Sequence, residues 1–181
     1  MRIKDLLDSK KKEPPVTIDA NSTVHDAIVK MNAHHVGALV VTDYQIPDQP
    51  EQGQSGHRHI RYSWGGSTKS VMQSQAICGV VSERDVMIEC GERCPGSGPS
   101  KECHVLVRDV MTKDEDLIIG LPSDDVDYAL RVMSGKNIKH LPILEGGELA
   151  GIISLGDIVK AKVEDKEYEA RMLKDYIQGI Y

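Results

Sequence analysis

Two short segments of this chain hold residue types at a spacing that could do chemistry. Gly79-Val80-Val81-Ser82-Glu83-Arg84-Asp85 and Gly151-Ile152-Ile153-Ser154-Leu155-Gly156-Asp157 share one pattern: a glycine, two aliphatic residues, a serine, and an aspartate three places after it. A serine at the N-cap of a helix with a carboxylate at N3 makes a capping box, in which the side chains take up backbone N–H groups of the helix start. On the residues alone, capping is the reading of both segments. The same helix start presents N–H groups that favour an anion such as a phosphate. Because the pattern occurs twice, whatever Ser82 and Asp85 do is expected of Ser154 and Asp157 as well.

Other reactive residue types are less organised. Cys90, Cys94 and Cys103 flank a Gly/Pro/Ser stretch and, with His104, could coordinate zinc. Their C-x3-C-x8-C-H spacing is not a familiar zinc signature, so they read as free loop thiols in a reducing compartment. Cys78 lies in an apolar strand pattern and reads as a small buried hydrophobe. His57-Arg58-His59 reads as a solvated loop rather than a metal or anion site. No G-x-S-x-G, H-E-x-x-H or P-loop pattern is present, and Gly96-x-Gly98 sits in a Pro/Ser linker. Nothing here points to catalysis.

The elements that must carry the two segments are themselves duplicated. Val24, Ala27, Met31, Val36, Leu39 and Val41 recur in order as Val126, Ala129, Met133, Ile138, Leu141 and Ile143, and Ile77–Val86 recurs as Leu149–Ile158. The first copy alone carries an insertion, about 43–75, rich in Gly, Pro, Gln and Ser and without apolar periodicity. It reads as a long mobile loop, with Tyr62 and Trp64 able to support a short hairpin. Each copy predicts strand, helix, strand, strand, helix. In copy one these are Val16–Ile18, a Thr23-capped helix to Ala33, Val36–Thr42, Ala76–Val81, and a helix from Ser82 to about Glu89. In copy two they are Leu117–Ile119, Asp124–Ser134, His140–Leu144, Leu149–Ser154 and Gly156–Lys162. Gly146-Gly147 predicts a tight hairpin. Short helical patterns precede both copies, at Ile3–Leu7 and Val107–Met111. A charged amphipathic helix follows from Lys160, with Val159, Val163, Ala170, Leu173 and Ile177 on one face.

Bulk properties narrow the function class. The 181 residues suffice for a core, but one copy alone would be marginal, so the copies are expected to share one. A net charge of −6, without a basic aromatic stripe, disfavours nucleic acid. No apolar run approaches the ~20 residues of a membrane span, and the N-terminus lacks a signal-peptide core. The expected setting is the cytoplasm or an organelle matrix, the latter if a transit peptide precedes this sequence, and not secretion.

The duplicated order resembles the cystathionine-β-synthase (CBS) domain pair, or Bateman module. The residues that carry the likeness are Asp109-Val110-Met111-Thr112, Asp125–Met133, Asn137–Ile143 and the two G-h-h-S-x-x-D segments. The ending Leu173–Tyr181 is similar to that of stand-alone CBS-pair proteins of plant organelles and bacteria. The resemblance implies an α+β fold of two pseudo-symmetric repeats. They are set at 1–90 and 105–162, with a linker at 91–104 and a helical tail at 163–181. It implies a non-catalytic regulator that binds AMP, ADP, ATP, NAD or S-adenosylmethionine between the repeats. Such a regulator is expected to be a homodimer acting on a partner protein, such as a thioredoxin or a metabolic enzyme. The alternative is a scaffold with vestigial clefts, acting through its insertion or C-terminal helix.

By the same resemblance Asp85 and Asp157 would accept from ribose hydroxyls, with Ser82 and Ser154 adding a contact. Thr17 and Ile18 facing Gly37, Ala38 and Leu39 would hold the base in copy one. Ile118 and Ile119 facing His140, Leu141 and Pro142 would do so in copy two. Lys139, His140 and Arg84 would face phosphates. Proximity along the chain groups Lys139 and His140 with Asp157, which predicts a tighter site there, although ligand contacts in this family cross between repeats.

Overall fold

The computed structural model describes residues 1–10, 14–42, 58–64, 67–73, 77–93, 105–113 and 116–179. The first copy folds as α1 (Ile3–Ser9), β1 (Thr17–Asp19), α2 (Val24–His34), β2 (Ala38–Thr42), a hairpin β3 (Arg58–Trp64) and β4 (Ser67–Gln73), β5 (Ile77–Ser82) and α3 (Glu83–Arg93). The second gives α4 (Val107–Val110), β6 (Thr112–Lys113), α5 (Val126–Gly135), β7 (His140–Glu145), β8 (Glu148–Ser154) and α6 (Leu155–Ile177). Thr23 caps α2 in a capping box with Asp26, as its position before an apolar 3.6-residue pattern predicts. Helices α2 and α5 both terminate next to a residue in the left-handed region, His35 at φ 53° and Asn137 at φ 54°. These are equivalent positions of the two copies.

β2 pairs in parallel with β1 (Ile18 opposite Val41) and antiparallel with β5 (Ala38 opposite Ser82, Val40 opposite Val80), and β6 adds to the far side of β5. The continuous apolar run of β2 is explained by burial on both faces. Leu39 and Val41 pack under α2 with Val24, Ala27 and Met31. Ala38 and Val40 face the other way, onto Leu117, Ile119 and Leu144 of the second copy. This middle layer is the core the repeats share. Leu141 and Ile143 of β7 build a third cluster with Val126, Ala129 and Met133. β7 and β8 are joined through Gly146 (φ 61°) and Gly147 (φ 91°), the positive φ pair a two-residue type I′ turn requires.

The leading helices are exchanged. Ile3 and Leu6 of α1 are buried in the second copy's cluster, and Val107 of α4 in the first copy's. Backbone hydrogen bonds fix the exchange: Ile3 N to Asp124 O and Val126 N to Met1 O on one side, Val24 N to Val105 O and Val107 N to Ser22 O on the other, at 2.9–3.1 Å.

Three expectations are corrected. The segment 117–119 forms no strand; the backbone bonds to β7 at Gly120, through Gly120 N to Pro142 O (2.9 Å) and Leu144 N to Gly120 O (3.0 Å). A Cβ at Gly120 would lie 2.9 Å from Ile143 Cδ1, so a side chain there would push the Ile143 methyl aside. Within the insertion read as a mobile loop, 58–64 and 67–73 pair as a hairpin, Arg58 opposite Gln73 and Trp64 opposite Ser67, the hairpin that Tyr62 and Trp64 allow. Helix α3 runs to Arg93, past the expected end near Glu89, and α6 is one 23-residue helix rather than a repeat helix followed by a tail. Cys78 is buried as expected. The Cys94, Cys103 and His104 positions and His57 lie outside the described residues.

Candidate functional site

The strand-to-helix corners β5–α3 and β8–α6 have the same construction. Ser82 donates its backbone N–H (2.8 Å) and hydroxyl (2.7 Å) to Asp85 Oδ2. Ser154 does the same to Asp157 Oδ2, both at 2.7 Å, and accepts from Asp157 N at 3.1 Å. Each corner is also tied to the start of the neighbouring strand of its own copy: Glu83 N donates to Gly37 O (3.0 Å), Leu155 N to Lys139 O (2.8 Å). The capping reading holds, and it is compatible with a second role. The bonds that the two carboxylates accept fall on Oδ2, so Oδ1 of both stays open as an acceptor among the described residues.

Each corner opens into a cleft completed by the other copy. Asp157 lies in the larger one, about 920 Å³, where Ile152 and Gly151 of β8 face Val16 and Val36 of the first copy. Lys10, at the C-terminal end of α1, reaches into it. Its Nζ donates to Asp157 Oδ2 at 2.7 Å and to Ile152 O at 3.1 Å. The exchange of α1 brings this lysine there. Burial pushes the Asp157 carboxyl up, but the bonds from Lys10 and Ser154 together outweigh it and hold the group below its ordinary value.

Asp85 lies in the smaller cleft, about 380 Å³, with Ser82 and Arg84. The second copy supplies Ile118, Ile138, Lys139 and His140. His140 pairs with Ser154 in the backbone register of β7 and β8, yet its ring sits against the first copy: a Cβ on Gly37 would lie 3.3 Å from His140 Nε2. Burial holds the imidazole below its usual value, against the upward pull of the Glu83 and Asp157 carboxylates.

This arrangement corrects the expected grouping. Lys139 and His140 line the cleft of Asp85, together with Arg84, and not that of Asp157. Gly37, Ser82, Ile118 and Asp85 are brought into that same cleft. Thr17, Ile18, Ala38, Ile119, Leu141, Pro142 and Ser154 line neither cleft. Ile18, Ala38, Ile119 and Leu141 are core residues, at most 5% exposed, because the aliphatic side chains of these segments point into the clusters beneath the sheets. Pro142 is also buried, Thr17 is half-buried, and Ser154 is half-buried as the cap of α6. The apolar walls come from flanking residues that the sequence reading did not select: Val16 and Val36 in one cleft, Ile138 and Leu117 in the other. Val16 and Val36 stand just before β1 and β2 and are partly buried against the first copy's core, so their residue type did not separate them from core residues. Lys10 gave no local signal. Among the described residues no group of three or more His, Cys, Asp or Glu could hold a metal, and no helix is long and apolar enough to cross a membrane.

Comparison with known proteins gives the same architecture. A family model for the CBS domain matches residues 3–46 and 107–164. The chain is 30% identical over 161 residues to the mitochondrial CBS domain-containing protein CBSX3 of Arabidopsis thaliana, an alignment covering 89% of this chain and 63% of that protein. It thus spans less than two thirds of this relative. Its structure is similar to that of the CBS-domain containing protein ATU1752 from Agrobacterium tumefaciens (TM-score 0.64, 28% identity, 90% of this chain and 99% of that one). It is also similar in fold to the CBS domain protein PAE2072 from Pyrobaculum aerophilum, solved in complex with AMP (TM-score 0.56, 23% identity, 87% and 89%). With the duplicated corners, the exchanged leading helices and a family match over more than half its length, this chain belongs to the CBS domain family, as a tandem pair of repeats.

Proposed function

We propose that this chain is a non-catalytic regulatory module that binds adenosine-containing ligands in the two clefts between its repeats and thereby modulates a partner protein. The observation that carries the reading is the composition of the clefts: a capped aspartate at a helix start from one copy opposite an apolar wall from the other. Oδ1 of Asp85 or Asp157 accepts from ribose hydroxyls, a charge-assisted bond of about 1.5–3 kcal/mol. Ile118 and Ile138, or Val16, Val36 and Ile152, cover the base. Lys10 in one cleft, and Arg84, Lys139 and His140 in the other, meet the phosphates. AMP or ATP suits both basic ends better than a cationic ligand does. A ligand held by both repeats changes their mutual geometry, which a partner can read. The repeats are assigned to 1–90 and 105–162, with 91–104 connecting them, and the module to the cytoplasm or an organelle matrix.

The test is a thermal-shift and calorimetric panel of AMP, ADP, ATP, NAD and S-adenosylmethionine. A ligand at 100 times its Kd stabilises the folded chain by about 2.7 kcal/mol. No response to any of them at millimolar concentration would refute the reading.

The chain is further proposed to act as a homodimer. The helix pairs that cover the repeats leave apolar side chains in water: Val29 and Met87 are 53% and 74% exposed, and Val159 and Val163 of α6 51% each. Two-fold pairing is the common way to cover such faces. One observation favours the scaffold alternative. The distal part of α6 exposes Tyr168, Met172, Leu173, Tyr176 and Ile177, away from both clefts. A chain that captures a partner through this helix, with no response to the ligand panel, would be that scaffold.

A further inference from the structure

The two clefts differ in how their aspartates are held, and the difference bears on ligand choice. Asp85 receives its bonds from Ser82. Asp157 carries in addition the Lys10 ammonium, contributed by a helix that crosses from the first copy to pack on the second copy's core. The pair is partly sheltered, with side-chain exposures of 37% and 25%. Two of the three Nζ donors of Lys10 are taken up inside the cleft, on Asp157 and on Ile152 O, which leaves the third open.

We propose that Lys10 makes the Asp157 cleft a charge filter: it admits adenosine ligands carrying an anionic group at the 5′ position in preference to those with a neutral or cationic one. The inference rests on the adenosine-binding reading above. A ribose on Asp157 stands beside the ammonium already bonded to that carboxylate. A 5′-phosphate gains a charge-assisted bond from the open donor, and the flexible four-carbon stem lets the ammonium follow it. A thioether at the same place gains nothing, and a sulfonium is repelled. Among the described residues lining the cleft, Lys4 and Lys160 are opposed by Asp8, Glu145 and Glu164, and Lys10 is the lysine bonded to Asp157.

The test is a methyl-NMR titration with AMP and with 5′-methylthioadenosine, which share the adenosine and differ in 5′ charge. Ile152 reports the Asp157 cleft; Ile118 and Ile138 report the Asp85 cleft. At Ile152 the unmodified protein is expected to prefer AMP by about tenfold or more. K10M brings that ratio to about one and leaves the ratio at Ile118 and Ile138 unchanged. K10R keeps the preference, which separates charge from packing and serves if K10M does not fold. K4M, which removes another lysine lining the same cleft, also keeps it. The proposal is overturned if K10M retains the AMP preference, if K4M abolishes it equally, or if ligands move only the Ile118 and Ile138 signals. If neither ligand moves either set, the adenosine-binding reading fails first and the filter with it.

Discussion

Removal of Asp157 is expected to destabilise the unliganded chain more than removal of Asp85, although sequence makes the two equivalent. Both substitutions to alanine remove the N3 carboxylate of a capping box and the bonds it accepts from the cap serine, a loss of about 1 kcal/mol on the scale of a net hydrogen bond. D157A alone also breaks the 2.7 Å ion pair with Lys10. Exposed pairs contribute roughly 0.2–1 kcal/mol, and this pair is partly screened from water, so about 0.5–1 kcal/mol is assigned to it. D157A should therefore cost about 1.5–2 kcal/mol and D85A about 1. For a chain of this size each kcal/mol moves Tm by roughly 2–4 °C, so the two variants should melt a few degrees apart. Urea and thermal unfolding followed by circular dichroism, without ligand, measure the gap. Its pH dependence has a defined sign. The folded-state pKa of Asp157 lies below the ordinary 3.8, so its stabilisation is complete above that value and disappears as pH falls through the lower, folded value. The unfolding curves of the unmodified protein and D157A should accordingly converge in strong acid. If D85A costs as much as D157A at neutral pH, or if the D157A gap persists below both pKa values, the Lys10–Asp157 pair is not doing what its geometry implies.

Deleting residues 46–74 should leave one cooperative unfolding transition, because β2 and β5 pair directly and β3–β4 form a separate two-stranded sheet. Shortening the connection changes closure entropy by only ~1 kcal/mol; an insoluble or non-cooperative variant would make the hairpin part of the core. G79A should destabilise by about 1–3 kcal/mol, since an added Cβ would overlap the Thr112 carbonyl oxygen and push β6 off β5. A denaturation midpoint unchanged from that of the unmodified protein would exclude that contact in solution. Light scattering at micromolar concentration should give about twice the 20.0 kDa chain mass; a persistent monomer, with or without nucleotide, would refute the dimer.

Much of the fold was legible because duplication and periodicity are local signals. The Thr23 cap, the buried β2 run and the Gly146-Gly147 turn each follow from a few adjacent residues whose side chains or dihedrals dictate the local conformation. The paired Ser–Asp corners were legible for the same reason. The strand at 117–119 misled because Leu117 and Ile119 are apolar for the shared middle layer, not for a ladder. The hairpin in the insertion was legible only as an option through Tyr62 and Trp64, because cross-strand pairing needs no strong apolar pattern in the strands that make it.

The sequence by itself determined the two repeats, their element order and the two aspartates at helix starts. The tertiary structure alone decided which groups share a cleft. Lys139 and His140 stand close in sequence to Asp157 but line the cleft of Asp85, and Lys10 is far from Asp157 in sequence yet bonds to it. The physical reason is the exchange of leading helices over a shared middle layer. It buries the apolar faces of both copies at once and turns each helix start toward the opposite copy. Burial of that kind is summed over the whole chain, so no short segment records it.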